Sequence, residues 1–172
     1  MMNKEIVIRR LSSSDSLEEL TALLHRSYRC LLDLGFRYVA SYQDMKRTKR
    51  RLDKGDTFVA VYKGLITGTI TLRRMDSTSG SPWYKRDDVT SFGQFAVDPD
   101  FQGRGIGTAL LNTVEEAART WKVREIALDT AEGAKHLRLF YERRGYRFIE
   151  FVNWSVTNYR SVILSKTLST EE

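Results

Sequence analysis

Alternating apolar and polar positions predict several short strands along the chain. In the segment EIVIRRL, Ile6 and Ile8 alternate with polar neighbours, as they do in a half-buried strand. Two later apolar runs, TFVAVY and LITGTITLRR, flank the Lys63-Gly64 dipeptide and predict an antiparallel hairpin with a tight turn. Four further strands are predicted at FGQFAV, EIALDT, YRFIEFVNW and YRSVILSK.

Apolar residues at helical spacing separate these strands. The first helix is predicted where four leucines share one helical face: Leu17, Leu20, Leu24 and Leu31. Its start is marked by Asp15 with Glu18, which have capping-box spacing, and a second helix in SYQDMKRTKRRL is predicted to begin at Ser41. Two more helices are predicted, one over 106–121 and one ending before Gly145. Gly, Pro, Ser and Thr residues predict a long surface loop over 75–88.

Composition narrows the class of protein. A chain of 172 residues with 41% hydrophobic and 29% charged residues, and with no internal repeat, predicts one domain over residues 1–172. Cys30 is the only cysteine, so an internal disulfide is excluded and a cytoplasmic location is expected. No apolar run has signal-peptide or membrane-spanning length, which predicts no membrane attachment. His25 and His136 lie in no ligand-spaced cluster, so no metal site is predicted.

The net charge of +6 fits an anionic partner. Its densest source is the second predicted helix, with six basic residues: Lys46, Arg47, Lys49, Arg50, Arg51 and Lys54. This cluster fits either a solvated helix face or a nucleic-acid patch. Since no aromatic platform or known reader motif accompanies it, the pattern favours the solvated face over nucleic-acid binding.

Three glycines in QGRGIG lie between a predicted strand and a predicted helix. The first amides of a helix lack intrachain partners and carry partial positive charge, and glycines let an oxyanion approach the backbone, so this turn is typical of phosphate binding. A dinucleotide-binding pattern that starts at Gly103 needs glycine at position 108, where Thr108 stands, and the end of a P-loop is absent. A tight turn without a ligand is the remaining alternative.

QGRGIG matches the Gln/Arg-x-x-Gly-x-Gly/Ala signature of the GCN5-related N-acetyltransferase (GNAT) superfamily. FAVDPDFQGRGIGTALL resembles that family's strand, turn and helix for acetyl-coenzyme A, and LRLFYERRGYRFIE resembles its later tyrosine-bearing helix. The order of predicted elements is similar over essentially the whole chain. The resemblance implies an α/β (α+β) GNAT fold: a mixed, mostly antiparallel sheet of about seven strands, flanked by about four helices and splayed between the fourth and fifth strands.

The resemblance also implies a coenzyme site. Its pyrophosphate would be held by the turn amides and the start of the helix: Gln102, Gly103, Arg104, Gly105, Ile106, Gly107 and Thr108. Backbone groups of Phe95 and Val97 would pair with the pantetheine arm, and one of these amides would stabilise the thioester oxygen during attack. Tyr141 would lie near the coenzyme sulfur. Proton transfer from a phenol to a thiolate is uphill by about 2 kcal/mol at ordinary pKa values, so a hydrogen bond and full transfer both stay open. Alternatively, Tyr141 packs in a helix stripe with Leu137 and Phe140.

The acceptor side lacks an evident base. Neutralising an alkylamine at pH 7 costs about 4.6 kcal/mol, yet Ser91 and Gln94 stand in the region where many relatives have a glutamate. Asp129 and Glu132 are the candidate bases, with a solvated loop carboxylate as the alternative. Ala134 replaces an asparagine common in relatives, which removes one expected coenzyme contact.

These observations predict a cytoplasmic, acetyl-coenzyme A-dependent N-acetyltransferase that transfers acetyl directly to a primary amine in a ternary complex. The acceptor, a small-molecule or protein amine, is not specified by the sequence, and neither is the length of the acyl group. The alternatives are a non-catalytic acyl-coenzyme A sensor and a basic nucleic-acid-binding protein. The resemblance leaves the oligomeric state open between a monomer and a homodimer.

Overall fold

The computed structural model describes residues 5–74, 76 and 79–168. Within these ranges the strands are Ile6–Arg10 (β1), Gly55–Tyr62 (β2), Leu65–Arg73 (β3), Val89–Val97 (β4), Glu125–Ala131 (β5), Arg147–Asn153 (β6) and Arg160–Thr167 (β7). The α-helices are Leu17–Asp33 (α1), Met45–Leu52 (α2), Ile106–Thr120 (α3) and Lys135–Glu142 (α4). Residues 75, 77 and 78 of the predicted loop, and residues 1–4 and 169–172 of the predicted domain, lie outside the described ranges. The extent of the domain therefore stays a prediction.

The strands form one sheet in the order β1-β2-β3-β4-β5-β7-β6. Every neighbouring pair is antiparallel except β4 and β5, which run parallel. Their pairing stops where Ser91 lies opposite Ala127, although β4 continues to Val97 and β5 to Ala131. The two strands therefore separate towards their carboxyl ends, which confirms the predicted mixed sheet and the splay between the fourth and fifth strands.

Helices cover both faces of the sheet because strand side chains alternate between the faces. Phe58 and Ala60 of β2 belong to the core formed with α3, whereas Val59 packs with leucines of α1. Close packing of α3 on β3 requires a glycine, since a Cβ at Gly68 would come within 3.0 Å of Leu110 Cδ1. This anchors the start of α3 against the strands that open the cleft.

Two predicted helix starts are wrong by one and three residues. The N-cap of α1 is Ser16, whose side chain accepts a hydrogen bond from the backbone three residues on, while Asp15 pairs with Arg9 instead. The N-cap of α2 is Asp44, and Ser41 lies in a preceding 3₁₀ turn. In both cases two cap-forming residues lie close together, and tertiary contacts select one of them.

Two kinds of feature are absent from the described residues 5–74, 76 and 79–168. In this part of the chain, no helix combines the length and apolar composition needed to cross a bilayer. No group of three or more His, Cys, Asp or Glu side chains there is placed to hold a metal ion.

Candidate active site

A cleft of about 1130 Å³ opens where β4 and β5 separate. Its walls come from α1, α2, β4, the turn before α3, the end of β5 and α4. If β4 and β5 stayed paired along their whole length, they would close this space, so their separation creates the cleft. It runs from the glycine turn at one end to the basic helix α2 at the other.

The glycine turn forms one wall of the cleft. Gly103 and Gly105 have φ angles of 74° and 80°, a left-handed conformation that favours glycine. Gly105 is the N-cap of α3 and makes no side-chain capping bond to the amides of the first turn. The residues of this turn that line the cleft are Gln102, Gly103, Gly105, Ile106, Gly107 and Thr108. A helix N-terminus of this kind attracts an anion such as a pyrophosphate.

Two arginines near the turn differ in their placement. Arg104 packs over the Phe101 ring at 4.8 Å and donates to the carbonyl of Asp100, and its side chain does not contribute to the cleft lining. Arg144 does line the cleft, donating to Thr108 Oγ1 at 2.9 Å. Arg144 was not among the predicted site residues, although its position three residues after Tyr141 was the available signal.

A β-bulge shapes the β4 side of the cleft. Thr71 of β3 lies opposite Gly93, but Thr69 lies opposite Ala96, so β4 holds one extra residue there. Gln94, inside the bulge, has a φ of 51°. A bulge re-aims the groups that follow it, and the next residue, Phe95, lines the cleft as Val97 does. The Phe95 carbonyl accepts a hydrogen bond from the Tyr28 hydroxyl at 2.9 Å, which holds this edge in place.

Tyr141 lies in the middle of the cleft wall. Its side chain is only 7% exposed, and its ring contacts Phe92, Phe95 and Tyr146. Within the described part of the chain, no hydrogen-bond partner occupies its hydroxyl. Burial raises the pKa of Tyr141 well above its ordinary value, so the phenol stays protonated at physiological pH. The ring also contacts Phe140, one of the two residues of the predicted helix stripe, while the role of the hydroxyl at the coenzyme sulfur stays a prediction.

Asp129 faces the other end of the cleft. Its Oδ1 accepts a hydrogen bond from the Tyr84 hydroxyl at 2.9 Å, and its Oδ2 accepts one from Trp154 Nε1 at 3.1 Å. Arg73 Nη2 lies 3.6 Å from Oδ1. Asp129 therefore has polar partners from three separate segments of the chain. The second candidate, Glu132, is not part of the lining and pairs with Arg160 at 2.7 Å.

The basic helix α2 contributes a wall of the cleft, although Arg50 and Lys54 are exposed, as expected of the predicted solvated face, and only Arg47 and Arg51 are half-buried. Arg47, Arg50, Arg51 and Lys54 line the cleft, whereas Lys49 pairs with Asp53 on the outside. Burial, with the nearby Arg73, lowers the pKa of Arg51 to about 10, which leaves it cationic at neutral pH. Helical spacing alone did not show which side of this short, polar helix turns inward.

Four further residues were singled out from the sequence: Gln94, Ala134, Cys30 and His136. Gln94, at the site of the missing glutamate, accepts a hydrogen bond from Gln43 Nε2 at 2.8 Å. Ala134 is the N-cap of α4 and provides no side-chain cap. Cys30 is an exposed thiol on α1 at the cleft wall, and His136 also lines the cleft.

Comparison with known proteins gives consistent matches. The acetyltransferase (GNAT) family model matches residues 17–146. S-(2-succino)cysteine N-acetyltransferase of Bacillus subtilis is 35% identical over 142 residues, which are 80% of this chain and 82% of that protein. S-alkylcysteine N-acetyltransferase of the same organism is 26% identical over 143 residues, which are 80% and 76%. A GNAT family acetyltransferase from Elizabethkingia anophelis, solved with acetyl-coenzyme A bound, is 17% identical with a TM-score of 0.69, covering 96% of this chain and all of that one.

Proposed function

Because the chain belongs to the acetyltransferase (GNAT) family, we propose that it binds acetyl-coenzyme A at the glycine turn and transfers the acetyl group directly to a primary amine in a ternary complex. One observation carries this proposal: the glycine turn, Tyr141 and Asp129 line the same cleft. A donor and an acceptor can therefore meet without a covalent acyl-enzyme. The exposed single thiol of Cys30 supports a reducing, cytoplasmic location.

The donor half of the cleft fits the coenzyme. In the proposal, amides from Gln102 to Gly107 hold the pyrophosphate, and Thr108 and Arg144 add polar contacts. The pantetheine arm follows the edge of β4 at Phe95 and Val97, beyond the last β4–β5 pair. An amide on this edge donates to the thioester oxygen, and that donor acts most strongly as negative charge develops there.

The transfer step uses two side chains in the proposal. The amine nitrogen attacks the thioester carbonyl carbon, so a C–N bond forms and the C–S bond breaks. Asp129 accepts the proton that the nitrogen loses, directly or through water. The Tyr141 hydroxyl donates a hydrogen bond to the departing sulfur, and the products are an amide and coenzyme A as its thiol. Tyr141 suits this role because its raised pKa keeps the donor proton in place.

The two named relatives support an acceptor class. Both are described as N-acetyltransferases of S-substituted cysteines, and this chain covers 82% and 76% of their lengths. We therefore propose the amino group of an S-substituted cysteine as the acceptor. A sensor that binds the coenzyme without turnover is the competing outcome.

Calorimetry and thiol release together test the proposal. Saturable acetyl-coenzyme A binding is expected, and Gly105→Glu should abolish it by placing a charged side chain in the turn. Gly64→Glu is the matched control, because the hairpin Gly64 has a φ of 83°, close to the 80° of Gly105, with open space around it. Lack of binding by the unaltered protein would overturn the donor assignment. Binding without thiol release across S-substituted cysteines and a broad amine panel would show a sensor.

A further inference from the structure

Positive charge dominates the part of the cleft around Asp129, where the acceptor is proposed to bind; we call this part the acceptor half. The charged side chains that line this half are five cations, Arg47, Arg50, Arg51, Lys54 and Arg73, and two carboxylates, Asp76 and Asp129. Burial lowers the pKa of Arg51, and the positive charge of the nearby Arg73 lowers it further. Like charges facing one cleft repel each other unless an anion lies between them.

The α2 arginines are not neutralised by neighbouring carboxylates. Among the described residues, Arg47, Arg50 and Arg51 form none of the ion pairs, whereas Lys49 of the same helix pairs with Asp53 at 2.8 Å. The guanidinium groups of these three arginines are therefore available to an anionic ligand. An arginine fork is well suited to bind a carboxylate through two hydrogen bonds.

Arg51 is also held in position before any ligand binds. Its Nη1 donates to Gln43 Oε1 at 2.7 Å. Gln43 is 1% exposed, and its Nε2 donates to Thr48 Oγ1 and to Gln94 Oε1, both at 2.8 Å. A side chain fixed in this way loses little conformational freedom on binding, so its contacts contribute more fully to affinity.

The location of these cations separates them from the coenzyme phosphates. Arg144 contacts Thr108 at the phosphate-binding turn, and Tyr141 lies near enough to feel the charges of both Arg144 and Asp129. Arg51 instead neighbours Asp129, Arg73 and Tyr28 at the acceptor end. The half-buried position of Arg47 and Arg51 in a concave cleft also differs from the exposed stripe that nucleic-acid binding needs.

We infer that Arg51 and Arg73, with Arg47 and Arg50 around them, form a carboxylate-binding site that selects acceptors with an acidic side chain. The inference rests on the proposed function and deepens it. Asp129 then faces the amino group of the same molecule, so opposite charges at the two ends orient the amine towards the thioester. Among S-substituted cysteines, those with a carboxylate on the sulfur substituent are the preferred class.

A pair of nearly isosteric acceptors tests this inference. S-carboxymethylcysteine and S-carbamoylmethylcysteine differ by a carboxylate against a neutral amide, and thiol release gives kcat/KM for each. We expect the unaltered protein to prefer the carboxylate by about 10- to 100-fold, the effect of one hydrogen-bonded charge. Arg51→Gln and Arg73→Gln should bring this ratio towards one, with the Kd for acetyl-coenzyme A retained. The matched control Lys46→Gln removes the same charge from an exposed position of α2 and should keep the ratio.

Three results would overturn the inference: equal use of both acceptors by the unaltered protein, an unchanged ratio in both arginine variants, or a loss of acetyl-coenzyme A affinity that matches the loss of turnover. The last result would assign these cations to the donor. If no acceptor releases thiol, the proposed function fails. The carboxylate-binding site can then still be tested by calorimetry, which measures binding of the two cysteine derivatives to the complex of the protein with coenzyme A. Tighter binding of S-carboxymethylcysteine, weakened in Arg51→Gln, supports the carboxylate site, and equal affinity rejects it.

Discussion

Replacing Tyr141 with phenylalanine removes one hydroxyl from the cleft and leaves the ring in place. The ring packs against Phe92, Phe95, Phe140 and Tyr146, and these contacts do not involve the hydroxyl. No described residue hydrogen-bonds this hydroxyl. The free energy of unfolding should therefore change by less than about 1 kcal/mol.

The effect on turnover should be much larger. A hydrogen bond to a charged group contributes about 1.5–3 kcal/mol. Since about 1.36 kcal/mol corresponds to a tenfold change in rate, kcat of Tyr141→Phe should fall by about 10- to 150-fold. The Kd for acetyl-coenzyme A should stay the same, because the charge on sulfur develops only during the reaction.

Thiol release across a pH series measures this effect, with thermal unfolding in parallel. Tyr146→Phe is the control, because its hydroxyl donates to the buried Glu115 at 3.0 Å and lies outside the cleft lining. That variant should lose about 1–3 kcal/mol of stability and keep kcat. Because burial raises the pKa of Tyr141 above 10, kcat of the unaltered protein should show no loss from its ionisation below about pH 10. Unaltered turnover in Tyr141→Phe over the whole pH range would refute the chemical role.

Three further predictions concern the base, the core and acid stability. Asp129→Asn should lower kcat/KM by at least about 100-fold, and unaltered turnover would contradict its role as base. Leu110→Ala should lower the free energy of unfolding, measured by chemical denaturation, by about 2.7–5 kcal/mol, since Leu110 is 0% exposed between α3 and the sheet. A loss under about 1 kcal/mol would contradict the described packing. Burial acts to raise the pKa of Glu125, but hydrogen bonds from Arg147 and two hydroxyls outweigh it, so the folded pKa lies below the ordinary 4.5. The stabilising contribution of the Glu125 carboxylate is therefore complete above about pH 4.5 and is lost as the pH falls through the folded pKa. The Tm difference between Glu125→Gln and the unaltered protein should narrow in acid, and a constant difference would contradict this.

Local sequence determined the secondary structure and the donor half of the cleft. Apolar alternation predicted β1, and apolar runs bounded by turn residues predicted the hairpin of β2 and β3, because both patterns are local properties of the chain. The glycines of QGRGIG predicted the phosphate turn because left-handed φ angles at Gly103 and Gly105 and a bare helix start are also local features. The position of Tyr141 near this turn was instead implied by the resemblance of LRLFYERRGYRFIE to the family's later helix.

Only the tertiary structure decided the acceptor half. Asp129 receives its partners from a loop at Tyr84, from the end of β6 at Trp154 and from β3 at Arg73. These residues are far apart in the chain, and no periodicity connects them. Arg51 is held towards the cleft because Gln43 links it to Gln94 of β4. Helical spacing within α2 carries no information about this contact. The proposed pyrophosphate and pantetheine contacts lie in one continuous segment of backbone, whereas the proposed acceptor site arises from side chains that meet only when the sheet splays.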